Sequence, residues 1–252
     1  AFHSVTMSST MLNNQKPTEP VIFMKPDTSV LLKSFPFVIP EFSNDVHHEV
    51  EVLVKINKVG KYIQPKFAHK YYNQIGLGID FTARDVQAKL KAKGLPWEIA
   101  KGFDGATVLG EFVSKEQFAD IQNLSFQLTK NGEVVQSGHT KDMLWAIDEL
   151  IAYVSQYFTL KIGDIIFTGT PAGVAKAKPD DELEGFLEDG IYDEIIPDFI
   201  TVHPLAFTDL TKKYSEKIIE MSLKDNDEED TEYYGFIFML SELSKAMATE
   251  VP

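Results

Sequence analysis

The chain has 252 residues, 44% of them hydrophobic, which is enough for one substantial core, and it has no cysteine, which excludes disulfides and thiolate metal sites. The net charge of -14 is uneven: residues 186–252 hold sixteen acids and five bases. Clustered Lys and Arg for phosphate contacts, an apolar run of membrane-spanning length and a basic-then-apolar leader are all missing from the pattern, so we expect no nucleic-acid partner, no membrane span and a cytoplasmic location.

In chain order, Val21–Lys25 and Phe37–Ile39 are short apolar runs bounded by Pro, Asp or Ser, which predicts strands. Val46–Ile56 is a longer strand pattern and contains His47-His48-Glu49-Val50-Glu51. Alternate residues of a strand share a face, so Glu49 and Glu51 point the same way. Two such carboxylates form either a solvated face or part of a cation site, and the run itself holds no Arg to neutralise both. His47 and His48 are adjacent and face opposite sides, which suits packing or supporting roles better than ligation. A second apolar run, Ile75–Asp80, ends in a third carboxylate and leads into Phe81-Thr82-Ala83-Arg84-Asp85.

Thr82 is placed to cap a helix from Ala83 to about Lys93, with Asp85 favourable in its first turn. Phe126–Thr129 and Glu133–Gln136 flank Asn131-Gly132, the strongest short hairpin signal. Met143–Tyr157 has apolar residues at helical spacing and is predicted to be the longest helix of the core. Short strands with few helices predict a β-rich α+β domain. Three carboxylates converging from two strands would suit a hard divalent cation.

Four ordered motifs, His47–Val52 (HHEVEV), Gly78–Gln87 (GIDFTARDVQ), Lys93–Asp104 (KGLPWEIAKGFD) and Gly163–Val174 (GDIIFTGTPAGV), resemble the fumarylacetoacetate hydrolase family. The likeness is to its short single-domain acylpyruvate hydrolases and to the related isomerases and decarboxylases, and it spans about Pro17 to Asp189. It implies a rolled mixed β-sheet resembling a distorted sandwich or barrel, and a homodimer. It also implies that Glu49, Glu51 and Asp80 ligate Mg²⁺ or Mn²⁺, and that Lys101 stabilises an enolate oxygen. Arg84, Gln87 and Thr170 would contact a small-molecule 2-oxo acid; otherwise Arg84 would pair with Asp85 or Asp104, and Thr170 would simply precede the turn at Pro171. The leading reaction implied is hydrolysis of the C–C bond of an acylpyruvate or fumarylpyruvate-like diketo acid, releasing pyruvate. Tautomerisation of a hydroxyheptadienedioate-type acid, decarboxylation of oxaloacetate, or a non-catalytic member are the alternatives.

The two ends depart from the resemblance. The short hydrolases activate water with a His-x-x-Glu dyad upstream of the Pro-rich stretch, and ungapped alignment back from Pro17 puts Ser8 and Met11 there; His3 is at the wrong spacing. Residues 1–16 therefore read as an atypical N-terminal segment, 17–189 as the catalytic domain and 190–252 as an acidic tail. In that tail, Phe207 to Met221 and Tyr233 to Met247 carry helical periodicity around the charged run Asp225–Asp230.

Overall fold

The computed structural model describes residues 2–4, 18–32, 35–188 and 200–203. Its strands are β1 (Phe2–Ser4), β2 (Phe23–Lys25), β3 (Phe37–Val38), β4 (Val46–His48), β5 (Val50–Ile56), β6 (Tyr72–Asp80), β7 (Thr82–Ala83), β8 (Thr107–Leu109), β9 (Val113–Ser114), β10 (Ser125–Lys130), β11 (Glu133–His139), β12 (Ile165–Phe167), β13 (Ala175–Lys176), β14 (Glu182–Glu188) and β15 (Ile200–His203). The helices are α1 (Pro65–Ala68), α2 (Arg84–Ala92), α3 (Glu98–Lys101) and α4 (Ile147–Tyr157). This is a β-rich α+β fold of curled, largely antiparallel sheet; β15 with β3 is the one parallel strand pair among the described residues.

Two five-stranded arrangements carry the domain. One runs β11-β10-β14-β15-β3, and the other runs β12-β5-β6-β8 with β9 also on β6. The small sheet β13-β4-β7 lies beside the second in sequence, because β4 and β5 are one strand pattern interrupted at Glu49. The expected single strand Val46–Ile56 is thus two strands. Alternation along β5 sends Val50, Val52, Val54 and Ile56 into the main apolar core, while Leu53 packs on the opposite face with Ile165 and Phe167. Both faces of β5 are covered, so a carboxylate on it cannot be a solvated one.

α4 closes the main core with Ile147, Leu150, Ile151 and Val154, a stripe at helical spacing. It starts four residues later than the periodicity suggests. Thr140–Asp142 form a 3-10 turn, Ala146 is extended, and the Glu149 carboxylate accepts the Ala146 N–H at 2.9 Å to fix the first turn. The hairpin forms where expected, with φ of 55° at Asn131 and 80° at Gly132, the left-handed pair that a tight two-residue turn needs.

α2 also forms within a residue of expectation, but Thr82 does not cap it. Thr82 belongs to β7, the residue before the helix is Ala83, and no side chain caps the first turn. Asp85 instead accepts from Ser43 Oγ at 2.6 Å and from the Asn44 N–H at 3.3 Å. The chain divides after Pro204, and residues 205–252, with the tail helices and acidic run read from the sequence, lie outside the described residues, as do Ser8 and Met11. β15 extends the sheet past residue 189.

Candidate metal centre

The β5–β6 ladder brings the three carboxylates together. Val50 pairs with Ile79 and Glu51 with Gly78, and the Asp80 N–H donates to the Glu49 carbonyl at 2.9 Å, so Asp80 stands across from Glu49 at the end of the ladder. Glu49, Glu51 and Asp80 are each fully buried, and one oxygen from each lies within 4.8 Å of the others. Three anions so close together in low dielectric demand cations.

Among the described residues the fold supplies three side-chain cations, none from the strand itself. Lys101, buried at the end of α3, uses all three N–H bonds: on Asp80 Oδ2 at 2.6 Å, on Glu49 Oε2 at 3.0 Å and on Thr82 Oγ1 at 2.5 Å. Lys25, equally buried at the end of β2, forms an ion pair with Asp80 Oδ1 at 2.7 Å and donates to the Ala106 carbonyl at 2.9 Å. Arg84, at the start of α2, pairs with Glu49 Oε1 and donates to Gln87 Oε1 at 2.7 Å. Its side chain keeps 12% exposure, whereas those of Lys101 and Lys25 keep 1% and 0%. Arg84 therefore forms the edge of the cluster nearest solvent. Its partners are Glu49 and Gln87, not Asp85 or Asp104.

The electrostatics follow from this geometry. Burial alone would raise the Asp80 carboxyl, but Lys101 and Lys25 outweigh it and hold Asp80 below the usual aspartate range. Lys101 is raised: burial opposes its charge, and Asp80 and Glu49 overcome that opposition. Lys25 is lowered, because burial dominates and Lys101 repels it while Asp80 alone compensates strongly. Glu51 is the group left short of a cation. Burial, then the charges of Asp80 and Glu49, push its carboxyl well up, and the Gly169 N–H on Oε2 at 2.5 Å offsets this only in part. Among the described residues its Oε1 has no hydrogen-bond partner.

These residues fit a hard divalent cation. The donor set is all oxygen, the Glu51 Oε1 has no hydrogen-bond partner among the described residues, and such an ion would offset the burial and the neighbouring carboxylate charges that raise Glu51. His47 is held by Asp45 (Nε2 to Oδ1, 3.0 Å), and His48 is buried on Gln136, so neither joins the carboxylates.

Beside Glu51 runs the loop after β12. Thr168 Oγ donates to the Val52 carbonyl at 2.8 Å, Gly169 donates to Glu51, and the hydroxyl of buried Thr170 accepts from Gln136 Nε2 at 2.9 Å. Glu49, Glu51, Asp80, Lys101, Arg84, Gln87 and Thr170, separated by up to 121 positions in sequence, thus lie at or beside one buried cluster. Lys25, Thr82 and Gln136 escaped the sequence reading. Lys25 had a signal, since in Val21–Lys25 the alternation that buries Phe23 also buries Lys25.

A curled antiparallel sheet with few helices, closing on a buried three-carboxylate, two-lysine centre, defines a metal-associated catalytic scaffold of the α+β class. The chain belongs to the fumarylacetoacetate hydrolase family: the family model for the fumarylacetoacetate (FAA) hydrolase C-terminal region matches residues 2–195. Among its relatives, the mitochondrial oxaloacetate tautomerase FAHD1 of Bos taurus is 40% identical over 173 residues, covering 69% of this chain and 78% of that protein. The mitochondrial oxaloacetate decarboxylase of Dictyostelium discoideum is 41% identical over 169 residues, covering 67% and 78%. A solved structure of fumarylpyruvate hydrolase from Pseudomonas aeruginosa, in complex with Mn²⁺ and pyruvate, superposes with a TM-score of 0.69 at 28% identity, covering 74% of this chain and 79% of that one.

Proposed function

We propose that this protein interconverts the keto and enol forms of a 2-oxo dicarboxylic acid of the oxaloacetate type, with decarboxylation of the same acid as its companion reaction. The observation that carries the reading is the ammonium of Lys101, buried and held between Glu49 and Asp80 beside an under-neutralised Glu51. The curated relatives named as oxaloacetate tautomerase and decarboxylase support it. It replaces C–C hydrolysis as the leading reaction.

Glu49, Glu51 and Asp80 would hold Mg²⁺ or Mn²⁺; the chain has no Cys, and among the described residues no His joins the three carboxylates, which favours these ions over zinc. When bound, the ion supplies Lewis-acid stabilisation to the adjacent carboxylate and keto oxygens of a 2-oxo acid. Tautomerisation breaks a C–H bond at C3 and makes an O–H bond at the keto oxygen. Negative charge gathers on that oxygen in the transition state, and Lys101, whose N–H groups are on Glu49, Asp80 and Thr82, would stabilise it through its buried positive charge. Decarboxylation sends the electron pair of the breaking C3–C4 bond to the same oxygen, so one lysine serves both reactions.

Arg84, at the solvent edge, would receive the distal carboxylate, with Gln87 steering the guanidinium; Thr170 would donate to the proximal carboxylate. Among the described residues three side-chain cations face the three carboxylates, so a divalent ion and a dianionic substrate would together add no net charge to the centre. A monoanionic acylpyruvate would leave one positive charge uncompensated in a buried place, which favours the dicarboxylic acid.

A second reading, hydrolysis of a diketo acid to pyruvate, is favoured by the likeness to the fumarylpyruvate hydrolase. It needs an activated water as well as the carboxylate centre, and a positioned base typically contributes about 10²–10⁴-fold. The positions aligned with the family's base hold Ser8 and Met11. Assembly as a homodimer belongs to the same proposal and is open to light scattering.

The deciding experiment follows enol-oxaloacetate by ultraviolet absorbance and pyruvate release from oxaloacetate and acetylpyruvate in parallel, with Mg²⁺, Mn²⁺ or EDTA. Metal-dependent loss of the enol, absent from Asp80→Asn, is the expected result. Acetylpyruvate cleavage outpacing both oxaloacetate reactions would restore the hydrolase reading, and no metal-dependent turnover of either acid would sink both.

A further inference from the structure

Gln136 is the one buried residue of β11, and it belongs to none of the sequence motifs that carry the carboxylates. β11 stands at the end of its sheet, and a register shift against β10 between Leu128 and Thr129 leaves Val135 outside the pairing. A bulge of this kind re-aims the side chain beside it, and Gln136 reaches out of its own sheet here. The loop after β12 lies against the bulge. A Cβ added to Gly173 would come within 2.2 Å of the Val135 carbonyl oxygen and 3.3 Å of Gln136 Cγ.

The place Gln136 reaches is a rung of another ladder. β12 pairs with β5 as Ile165 with Lys55, Ile166 with Val54 and Phe167 with Leu53, and the Thr168 N–H continues the pattern onto the Val52 carbonyl at 3.1 Å. Bonded pairs alternate in an antiparallel ladder, so in this register the next rung would join Val50 to Thr170. The Gln136 amide stands at Val50 instead. Its Oε1 accepts the Val50 N–H at 3.1 Å, while Nε2 donates to the Pro171 carbonyl at 3.2 Å and to Thr170 Oγ1 at 2.9 Å. That orientation is forced, because a backbone N–H only donates and a carbonyl only accepts; His48 Nδ1, 3.1 Å from Oε1, is then a donor too. A primary amide offers the donor and acceptor of a peptide group, so it carries the ladder across a splayed edge without a strand.

Gly169 lies between the last backbone rung and this amide. In a closed ladder it would face Glu51 as a non-bonded pair, with its N–H turned away from β5. Here it turns with φ +105°, and its N–H is on Glu51 Oε2 at 2.5 Å. We propose that Gln136 is a positioning residue for the metal centre: its amide holds the loop after β12 one hydrogen-bonding group away from β5, and this gap lets the Gly169 N–H fix Glu51 Oε2. Fixing one oxygen of Glu51 sets where the other, Oε1, is offered to a cation. The spacing rests on the hydrogen bonds alone, and its value for a divalent ion rests on the functional reading above.

The test measures Mn²⁺ affinity by calorimetry on the full chain, with melting in EDTA recorded beside it. Gln136→Met keeps the length of the side chain without the amide, and Gln136→Asn keeps the amide without the length to span Val50 and Pro171. Each should weaken Mn²⁺ by about tenfold or more, the usual cost of losing a group that orients a metal ligand. Val154→Ala, a core change on α4 outside the centre, should lower the EDTA melting temperature and leave Mn²⁺ affinity within about twofold. Gln136 variants that melt lower but bind Mn²⁺ as the unmodified chain does would make Gln136 a stability residue only and overturn the proposal, as would a Val154→Ala variant that loses as much affinity as they do. If Gln136→Met does not fold, Gln136→Asn decides by the same criterion. Proton NMR in EDTA gives a reading that general destabilisation does not move. The Gly169 amide proton, held on a buried carboxylate, should resonate well downfield in the unmodified chain and in Val154→Ala, and shift upfield in the Gln136 variants; an unmoved resonance overturns the proposal. An unmodified chain that binds no Mn²⁺ rejects the cation reading, and a Gly169 resonance that still moves then keeps the spacing role of Gln136. Mn²⁺ binding that no Gln136 variant weakens does the reverse.

Discussion

The β10–β11 hairpin and the carboxylate centre are built on opposite terms. In the hairpin, Lys130 faces Glu133 across a two-residue turn whose left-handed φ angles are those Asn-Gly favours, so a decision taken within four residues sets how the two strands begin to pair, up to the register shift between Leu128 and Thr129. In the centre, neighbours in sequence do almost nothing for one another. Glu49 is neutralised by Arg84 and Lys101, and Asp80 by Lys25 and Lys101, over separations of 21 to 55 residues. A local element tolerates changes elsewhere, whereas a centre assembled from four segments fails as a unit when one cation is removed.

The hardest blow to this contrast is Lys101→Met. It leaves Glu49 and Asp80 buried with one cation each and strips the donor from Thr82, so urea unfolding in EDTA should lose about 3–5 kcal/mol, the usual cost of breaking a buried ion pair from one side. A loss below 1 kcal/mol would show that the two carboxylates are neutralised without it.

Metal removal comes next. An ion that binds only the folded chain stabilises it by about 2.7 kcal/mol at a hundredfold excess over its Kd. Melting in millimolar Mn²⁺ should therefore exceed melting in EDTA, and Glu51→Gln should erase the difference. Equal melting of the unmodified chain in both conditions would remove the metal from the centre.

Gly132→Ala probes the local side of the comparison. Nothing lies within 4 Å of an added Cβ, so the cost is that of φ +80° alone, about 1–2 kcal/mol by thermal unfolding. Metal affinity and oxaloacetate turnover should be unchanged. A fall in either would mean that the turn reaches the centre through Gln136, four residues further along, on β11.

The smallest effect is at the edge of the centre. Burial works against the Asp85 charge, but Ser43 and the N–H groups of Asn44 and Val86 together hold its carboxyl below the usual range. Its contribution is therefore complete above the ordinary aspartate value and is lost as pH falls through the lowered native one. Ser43→Ala should cost under about 1 kcal/mol at neutral pH, given how open the site is to solvent, and less as the pH drops below the ordinary aspartate range of about 3.9. A penalty independent of pH would assign the effect to the hydroxyl's packing instead of its bond to Asp85.

Sequence by itself determined what depends on period and on backbone preference: the α+β class, the hairpin, and the apolar faces of β5 and α4; the motifs also pointed to the three carboxylates that the fold brings together as a candidate cation site. Those elements are legible because a side chain's face is set by its own strand or helix. Tertiary structure alone decided the rest. At Glu49 the strand pattern breaks, and Gln136, on another sheet, takes the Val50 N–H on one side of it and the His48 ring on the other. Thr82 abandoned the capping role its position allows because a buried carboxylate and ammonium offer its hydroxyl stronger partners than a solvated helix end. Lys25 entered the centre because β2 ends against Asp80, and no periodicity records where a charged side chain will find its counter-ion once both have left water.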